Sequence, residues 1–346
     1  MREHATSDSS GYQKPTGDET ASPRPVGGAC ETVPVTGRLM LLDTASLYFR
    51  AFYGVPDKVT APDGSPINAA RGLLDMIAKL ITLYEPTQVI ACWDDDWRPQ
   101  WRVDLIPGYK THRVVQVVEG APDVEEVPDP LEAQIPLIRE TLAALDIPVI
   151  GVAAHEADDV IGTLATRSTV PVDIVTGDRD LFQLVDDDRD VRVVYTARGM
   201  SNLEIVTDAT VVAKYGVLPG QYADFATMRG DASDGLPGVA GVGEKTAAAL
   251  LHAHGDLEGI RTAADAGEGM SAGVRAKILA AAAYLDVAPT VVAVATDLDI
   301  TAPGTPLHAP DAHARAAATA LAERWNLSSS MERALTAIEK VSAARS

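Results

Sequence analysis

Short apolar runs alternate with amphipathic segments through the first half of the chain. Leu39–Leu42 and Val89–Trp93 have the composition of buried strands, and each runs directly into an aspartate. Residues 69–84 place apolar side chains at helical spacing before Pro86, which predicts a helix that ends there. The alternation continues with predicted helices over about 44–53, 131–145 and 156–168 and with predicted strands over about 148–152 and 172–175.

This rhythm predicts an α/β fold in which a mostly parallel central sheet carries helices on both faces, and we expect it to span residues 38–205. Beyond residue 205, helical patterns separated by Gly-rich turns predict a smaller helical region over 206–300. An Ala-rich helical extension is expected over 301–346. Residues 1–37 are rich in Ser, Thr, Gly, Pro and charge, which predicts a disordered tail.

Acidic side chains follow three of the predicted strands. Asp43 and Asp94 come directly after the first two strands, and Asp178 follows the strand over 172–175. Because ligands bind beyond the carboxyl ends of parallel strands, we expect these three carboxylates to converge.

Further acids extend this group to nine carboxylates. They are Glu156, Asp158 and Asp159 at a predicted helix start, Asp180 near Asp178, and Asp231 and Asp234 in a Gly-rich turn. Carboxylate oxygens suit hard cations such as Mg²⁺ and Mn²⁺, and nine of them exceed the need of one ion. A single aspartate after a strand is about as often a helix cap or turn former. The joint occurrence therefore favours a site for two or more ions.

The charge balance limits how the chain could bind nucleic acid. With 49 acidic against 29 basic residues the net charge is −20, which argues against a protein that coats nucleic acid through its overall charge. Residues 98–113 are the most basic part of the chain, and they interleave Arg and Lys with Trp97, Trp101 and Tyr109. This mixture suits a phosphate chain with stackable bases, but a solvated helix whose tryptophans pack on the core has the same composition.

A second candidate contact is the turn with glycines at 238, 241 and 243, which directly precedes a predicted helix. Such a turn exposes backbone N–H groups to a phosphate, and Lys245 and Thr246 add a charge and a hydroxyl. The spacing is not that of a nucleotide-hydrolysing P-loop, because Glu244 precedes Lys245. A tight connection between two helices is the alternative.

Cysteine usage and hydropathy indicate the compartment. Cys30 and Cys92 lack neighbours at metal-ligand spacing, so neither a zinc site nor a disulfide framework is expected. No apolar run approaches the roughly 20 residues that span a bilayer, and the chain start lacks the pattern of a signal peptide. No membrane contact and a cytoplasmic location are therefore expected.

The ordered set of motifs resembles the 5′-nuclease domain of bacterial DNA polymerase I and the stand-alone bacterial flap endonucleases. The resemblance covers roughly residues 38–300. Its motifs are Asp43, Trp93-Asp94, Glu156–Asp159, Thr176–Leu181, Gly230–Gly238 and Gly241–Thr246.

The resemblance implies a 5′-3′ exonuclease and flap endonuclease that hydrolyses DNA phosphodiester bonds by two-metal catalysis in replication and repair. It implies a tighter metal site formed by Asp43, Asp94, Glu156, Asp158 and Asp159, and a second formed by Asp178, Asp180, Asp231 and Asp234. It also implies that four basic residues take part in catalysis, namely Arg50, Arg102, Lys110 and Arg113. The last three lie in an implied arch at about 98–140 that grips the 5′ strand. Implied DNA contacts are Tyr109 and a helix–turn–helix element with Gly241, Gly243, Lys245 and Thr246, which in this family often holds K⁺.

Three departures from the family pattern stand out. Asp95 and Asp96 add negative charge after Asp94, residues 114–130 form a long acidic insert in the arch, and no polymerase domain follows. A stand-alone monomer acting on DNA 5′ ends, flaps or junctions, and on RNA primers paired with DNA, is expected. Two rival hypotheses are a non-catalytic, structure-selective DNA-binding module and a toxin-like ribonuclease of similar sheet architecture.

Overall fold

Two β-sheets organise the chain. The computed structural model describes residues 37–118 and 120–345, so the tail predicted for residues 1–37 lies outside the described residues except for Gly37. The strands are β1 Leu39–Asp43, β2 Gln88–Cys92, β3 Val114–Gln116, β4 Val124–Glu125, β5 Val149–Ile150, β6 Val172–Thr176, β7 Val191–Tyr195 and β8 Glu204–Val206.

Helices connect and cover these strands. In the first half they are α1 Thr44–Gly54, α2 Asn68–Tyr84, α3 Gln100–Leu105, α4 Asp129–Glu132, α5 Ile135–Ala144 and α6 Ala157–Arg167. In the second half they are α7 Asp208–Tyr215, α8 Tyr222–Arg229, α9 Glu244–His254, α10 Leu257–Ala266, α11 Ala272–Ala280, α12 Ala282–Leu285, α13 Ala288–Val292, α14 Ala312–Arg324 and α15 Ser328–Ala343. None of these helices is both long and apolar enough to cross a membrane.

The main sheet has the strand order β5-β2-β1-β6-β7-β8. All neighbouring strands in it are parallel except β7 and β8, which are antiparallel. The predicted mostly parallel sheet is confirmed. Since β1 lies between β2 and β6, with Asp43 level with Cys92, the three strand ends that carry the acids meet at one edge of the sheet.

Side chains of β1 alternate between two apolar clusters. Leu39 and Leu41 pack with α6 and the helices from α8 to α13, whereas Met40 and Leu42 pack with α2, α5 and α15. The predicted helices on both faces are therefore confirmed. The described residues form one compact unit, in which the C-terminal helix α15 covers the second face of the sheet.

The structure differs from the prediction around residues 119–145. The predicted single helix over 131–145 is divided into α4 and α5 at Gln134, whose side chain is buried. Its Oε1 accepts hydrogen bonds from the amides of Ala69 at 2.8 Å and Ala70 at 3.3 Å. Because α2 has no side-chain cap of its own, this glutamine satisfies its free amides from another element.

Two further differences concern strands. The acidic stretch predicted as a loop contains β4, which pairs with β3 in an antiparallel hairpin. Strands β7 and β8 were not predicted, because the strand pattern faded from the sequence near residue 205 and β7 directly follows the acidic run 186–190.

Shortening Ile338 to alanine should test whether α15 belongs to the cooperative core. Ile338 is fully buried in the cluster shared with α2, so the cavity left by Ile338→Ala should lower the free energy of unfolding by about 2–5 kcal/mol. Urea titration would measure this. The matched control is Lys340→Ala on the exposed side of the same helix, expected within about 0.5 kcal/mol of the parent. Equal midpoints for both variants would contradict the assignment of α15 to the core.

Candidate active site

A cleft of about 250 Å³ opens at the carboxyl edge of the main sheet. Five of the predicted carboxylates line it, together with two of the predicted bases. The carboxylates are Asp43, Asp94, Glu156, Asp158 and Asp178, and the bases are Lys110 and Arg113. The convergence of Asp43, Asp94 and Asp178 expected from the strand ends is present in the structure.

Asp43 ends β1 and starts α1. Its Oδ1 accepts a hydrogen bond from the amide of Ser46 at 3.1 Å, and its Oδ2 accepts one from the hydroxyl of Thr176 at 2.6 Å. Burial, together with the nearby charges of Asp94 and Asp178, raises the pKa of Asp43 to about 7. The carboxylate is thus fixed in direction and lacks a cationic partner.

Asp94 and Asp158 face the same cleft from β2 and α6. The Oδ1 of Asp94 accepts a hydrogen bond from the amide of Ala157 at 2.8 Å, which holds the start of α6 against the end of β2. Burial raises the pKa of both carboxyl groups, and neighbouring acids add to the shift. Several buried carboxylates close together destabilise the fold unless a cation neutralises their charge.

Glu156 receives three donors in this structure. Its Oε1 accepts from Arg102 Nη1 at 3.1 Å and from the Tyr109 hydroxyl at 2.7 Å, and its Oε2 is ion-paired with Lys110. Burial disfavours the charge of Lys110, but Glu156, Tyr109 and Asp234 outweigh that effect and raise its pKa well above the ordinary value. Lys110 is therefore a charged ammonium group inside the cleft.

The loop that carries Lys110 is docked on the turn that carries Asp234. Lys110 has a left-handed φ of 49°, and its amide donates to the carbonyl of Asp234 at 3.0 Å. Gly235 has a φ of 71°, and a Cβ there would collide with the carbonyl oxygen of Gly108. A glycine at 235 thus allows the two backbones to approach closely.

Replacing Gly235 with alanine should displace the Lys110 loop. We expect Gly235→Ala to cost about 2–3 kcal/mol of stability, from the left-handed φ and the backbone clash, and to slow any cleavage at least about tenfold. The control Gly64→Ala has a similar φ of 89° but open space around its Cβ. It should cost only about 1–2 kcal/mol and leave the rate unchanged. Equal effects of both variants on rate would contradict a role for the docked loop.

The remaining predicted acids form a neighbouring group. Asp231 accepts from the amide of Ser233 at 2.8 Å and pairs with Arg229 at 3.2 Å, and these contacts outweigh burial and lower its pKa. The Oδ1 of Asp180 is buried without a hydrogen-bond partner, and burial beside Asp178 raises its pKa. Asp234 lies 3.5 Å from Arg113, although burial still raises its pKa.

Three sequence predictions need correction. Asp159 is fully buried, and both its oxygens are held by Arg102, at 2.7 Å and 2.8 Å, so it does not line the cleft as a metal ligand. Arg102 is only 2% exposed for the same reason and does not face a phosphate path. Tyr109, predicted to contact DNA, is 4% exposed and packs in the core.

The described structure brings acids of both predicted metal sites to one cleft. Asp178, assigned from sequence to the second site, lines the same cleft as Asp43 and Asp94, and the division of the acids between two ions stays a prediction. Glu125, which sequence reasoning missed, lines the cleft from β4 and lies 4.0 Å from Arg113. The sequence gives no signal that separates Glu125 from the other acids of its acidic, Pro-rich stretch.

Arg50 lies on α1 beside the cleft. Its Nε is buried without a hydrogen-bond partner, and a Cβ added at Gly177 would lie 3.4 Å from its Nη2. The guanidinium is thus close to the Gly177-Asp178 corner of the cleft and has donor capacity to spare.

The Gly-rich turn connects α8 to α9. Gly241 has a φ of 73°, and Gly243 precedes α9 without any side-chain cap on the helix. Lys245 is exposed and Thr246 is half-buried in the first turn of α9. Free amides at a helix start can donate hydrogen bonds to an anion, and the phosphate contact expected at this turn stays a prediction.

The carboxylate cleft fits divalent cations. Its donors are oxygen atoms, Asp43, Asp94, Asp158 and Asp178 form no ion pair with another described residue, and the Oδ1 of Asp180 is buried and unpaired. Among the described residues, no three His, Cys, Asp or Glu side chains already stand close enough to surround a single ion. Ions held partly through water molecules, as Mg²⁺ usually is, would suit this spacing.

Comparison with known proteins identifies the family. Two family models match consecutive segments: 5′-3′ exonuclease, N-terminal resolvase-like domain, over residues 38–216, and 5′-3′ exonuclease, C-terminal SAM fold, over residues 217–314. The chain belongs to the 5′-3′ exonuclease family. It is therefore a nuclease of the hydrolase class, as the sequence motifs predicted.

Relatives of this 5′-3′ exonuclease include both short and long proteins. It is 56% identical over 302 residues to the 5′-3′ exonuclease of Streptomyces coelicolor, covering 86% of this chain and 99% of that protein. It is 42% identical over 235 residues to DNA polymerase I of Mycobacterium bovis, covering 67% of this chain but 24% of the polymerase. The match to the Streptomyces protein thus extends over nearly all of that nuclease, whereas the match to the polymerase is confined to a part of it.

A solved structure shares the fold of this 5′-3′ exonuclease. The bacteriophage T5 D15 flap endonuclease, in a pseudo-enzyme–product complex with DNA and metal ions, superposes with a TM-score of 0.56 and 14% identity. The match covers 88% of this chain and 99% of the phage protein. At this identity the comparison supports the sheet and the helical region that follows it.

Proposed function

We propose that this 5′-3′ exonuclease hydrolyses DNA phosphodiester bonds at 5′ ends and 5′ flaps, with divalent cations held in the carboxylate cleft. The observation that carries the proposal is the cleft itself. Six carboxylates, the five predicted ones and that of Glu125, face two cationic side chains there, in a volume that can hold a phosphodiester group and its ions.

Asp43, Asp94, Asp158 and Asp178 are the residues that would hold the ions directly, with Glu156 released to them from Lys110. Mg²⁺ or Mn²⁺ is the natural choice for a donor set made of carboxylate oxygens. When bound, such cations would polarise the phosphodiester and lower the pKa of an attacking water. Asp180, Asp231 and Asp234 lie beside this group and would act through water or neighbouring side chains.

The basic side chains of the cleft have a different role from the carboxylates. Lys110 is ion-paired with Glu156 in this structure. The Lys110 ammonium group would be free to meet the phosphate when Glu156 serves as a ligand to a cation. Arg113 and Arg50 are placed to hold neighbouring phosphates from the hairpin side and the α1 side of the cleft. Positive charge fixed where negative charge develops stabilises the transition state of phosphoryl transfer.

The start of α9 would hold the duplex away from the cleft. Exposed Lys245 and the uncapped amides after Gly243 suit a phosphate on the duplex backbone. The K⁺ expected at this turn stays a prediction. The carbonyl of Gly241 already accepts from Lys277 Nζ at 2.8 Å, so the ion would use other carbonyls of the turn.

The β3–β4 hairpin lies within the segment predicted as the arch, and its Glu125 lines the cleft. The Trp97 indole donates to the Asp123 carbonyl at 2.7 Å, and Arg98 is ion-paired with the Asp123 carboxylate. These contacts fix the hairpin base beside the cleft. A single 5′ strand would pass along its exposed Val115 and Val117 to reach the carboxylates.

A cleavage assay separates this proposal from its rivals. Labelled 5′-flap DNA, blunt duplex, RNA and RNA–DNA primer substrates would be incubated with Mg²⁺, with Mn²⁺ and with a chelator. We expect flap and 5′-end cleavage only with a divalent ion. Tight flap binding without any cut would favour the non-catalytic DNA-binding module, and cleavage of RNA alone would favour the ribonuclease.

The same assay addresses the finer substrate predictions. Cleavage of the RNA–DNA primer would support primer removal as a second activity. The predicted monomer can be checked by light scattering with and without DNA. A cytoplasmic location stays a prediction from the sequence.

A further inference from the structure

Arg102 is saturated by contacts from three parts of the chain. Its guanidinium donates to both oxygens of Asp159 and to Oε1 of Glu156 on the start of α6. Its Nε donates to the carbonyl of Val291 at 3.1 Å, and its Nη2 approaches the carbonyl of Ala293 at 3.4 Å. A planar guanidinium held by this many acceptors can occupy only one orientation.

Asp159 is equally constrained from the other side. Besides Arg102, its Oδ1 accepts from the amide of Ala295 at 2.8 Å and its Oδ2 accepts from the amide of Glu156 at 3.2 Å. The pair therefore joins α3, the first turn of α6 and the segment that follows α13.

We propose that Arg102 and Asp159 are positioning residues, which hold Glu156 at the edge of the cleft in the orientation that a cation requires. The proposal rests on the proposed function, since it concerns the ions bound there. Asp159 fixes the Glu156 backbone, and Arg102 fixes its side chain at Oε1. Neither residue touches the substrate or an ion.

The charge of Asp159 matters as much as its shape. With Asp159 ionised, the guanidinium shares its charge between two carboxylates, and Glu156 keeps enough negative charge to attract a cation. In Asp159→Asn the full guanidinium charge would fall on Glu156, and the new amide would face Arg102 donor to donor. Glu156 would then be drawn towards Arg102 and away from the ions.

The test measures ion binding in the absence of DNA. Mn²⁺ titration calorimetry on the full chain should show Asp159→Asn binding Mn²⁺ about 10–100-fold more weakly than the parent, as expected when a residue behind a metal ligand is lost. Flap DNA affinity, measured with Ca²⁺ present, should change less than about threefold. The maximal cleavage rate should fall with little change in KM.

Asp173→Asn is the matched control. Asp173 is also fully buried and pairs with two arginines, Arg38 and Arg192, both at 2.7 Å, but it lies near the opposite end of β6 from the cleft. Asp173→Asn should lower the free energy of unfolding about as much as Asp159→Asn does, and it should leave Mn²⁺ affinity unchanged. If both aspartate variants weaken Mn²⁺ binding equally, or if neither does, the positioning role is overturned.

Two further outcomes keep the test decisive. If Asp159→Asn does not fold, Arg102→Lys replaces it in the test, because lysine keeps the positive charge but cannot span both carboxylates. An unchanged Mn²⁺ affinity in Arg102→Lys overturns the proposal. If the parent protein itself binds no Mn²⁺ and cuts no DNA, the proposed function fails, which is distinct from failure of the positioning role.

Discussion

Replacing Lys110 with alanine should slow single-turnover cleavage of flap DNA by about 10²–10³-fold while leaving DNA affinity within about threefold. The side chain is 8% exposed and lies inside the cleft, where few phosphates of a duplex could reach it. Its charge would therefore act on the reacting phosphate, where negative charge grows, and would add little to overall binding.

Lys245 offers the opposite control. It is exposed at the start of α9 and does not line the cleft, so Lys245→Ala should weaken DNA binding and its salt dependence without slowing cleavage at saturating enzyme. Single-turnover rates and binding isotherms for both variants would show the contrast. Equal losses of rate and affinity in Lys110→Ala would remove the catalytic role.

The strand-end acids could be predicted because their placement follows from topology. Neighbouring parallel strands end at one edge of a sheet. Once β1, β2 and β6 are recognised, the convergence of Asp43, Asp94 and Asp178 follows from their places after these strands. The strand–helix rhythm also predicted helices on both faces of the sheet, and Leu41 and Leu42 indeed pack in two different clusters.

The orientation of side chains at a helix start could not be predicted in the same way. Glu156, Asp158 and Asp159 follow one another within four residues, and their composition alone gives no reason to separate the last from the others. The separation depends on Arg102, 57 positions earlier, and on the carbonyls of Val291 and Ala293 at the end of α13. Such long-range contacts decide which carboxylates face the cleft.

The basic stretch shows the same limit. Arg and Lys interleaved with aromatics are typical of a nucleic-acid surface, yet Arg102 and Tyr109 are core residues while Lys110 and Arg113 reach the cleft. Neighbouring residues are separated here by the left-handed φ of Lys110, which turns the chain between them. A backbone conformation that is unusual for lysine has no signature in composition.

Replacing Asp43 with asparagine should abolish cleavage, by at least about 10³-fold, and at the same time stabilise the metal-free protein. The carboxamide oxygen of the new side chain could still accept from the amide of Ser46, so the cap on α1 would survive. What the variant loses is a buried negative charge that has carboxylate neighbours and no cation. Many active sites gain stability when a functional group of this kind is removed.

The stability that Asp43→Asn adds to the metal-free protein should increase as the pH rises. The pKa of Asp43 is raised from 3.8 to about 7 in the folded protein, so the folded state binds the proton more tightly than the unfolded chain. Its contribution to stability is therefore present below about pH 4 and is lost as the pH rises through about 7. At pH 8 the Asp43→Asn protein should be more stable than the parent by roughly 1–3 kcal/mol.

Thermal unfolding of both proteins at pH 5 and pH 8, with chelator and with Mg²⁺, would measure the effect. With chelator, the difference in Tm should be several degrees at pH 8 and smaller at pH 5. Saturating Mg²⁺ should stabilise the parent more than the variant and so narrow or reverse the difference. A parent that is already the more stable protein at pH 8 with chelator would show that the cleft carries no uncompensated charge at Asp43. In that case the strongest physical reason for placing a cation beside it would be lost.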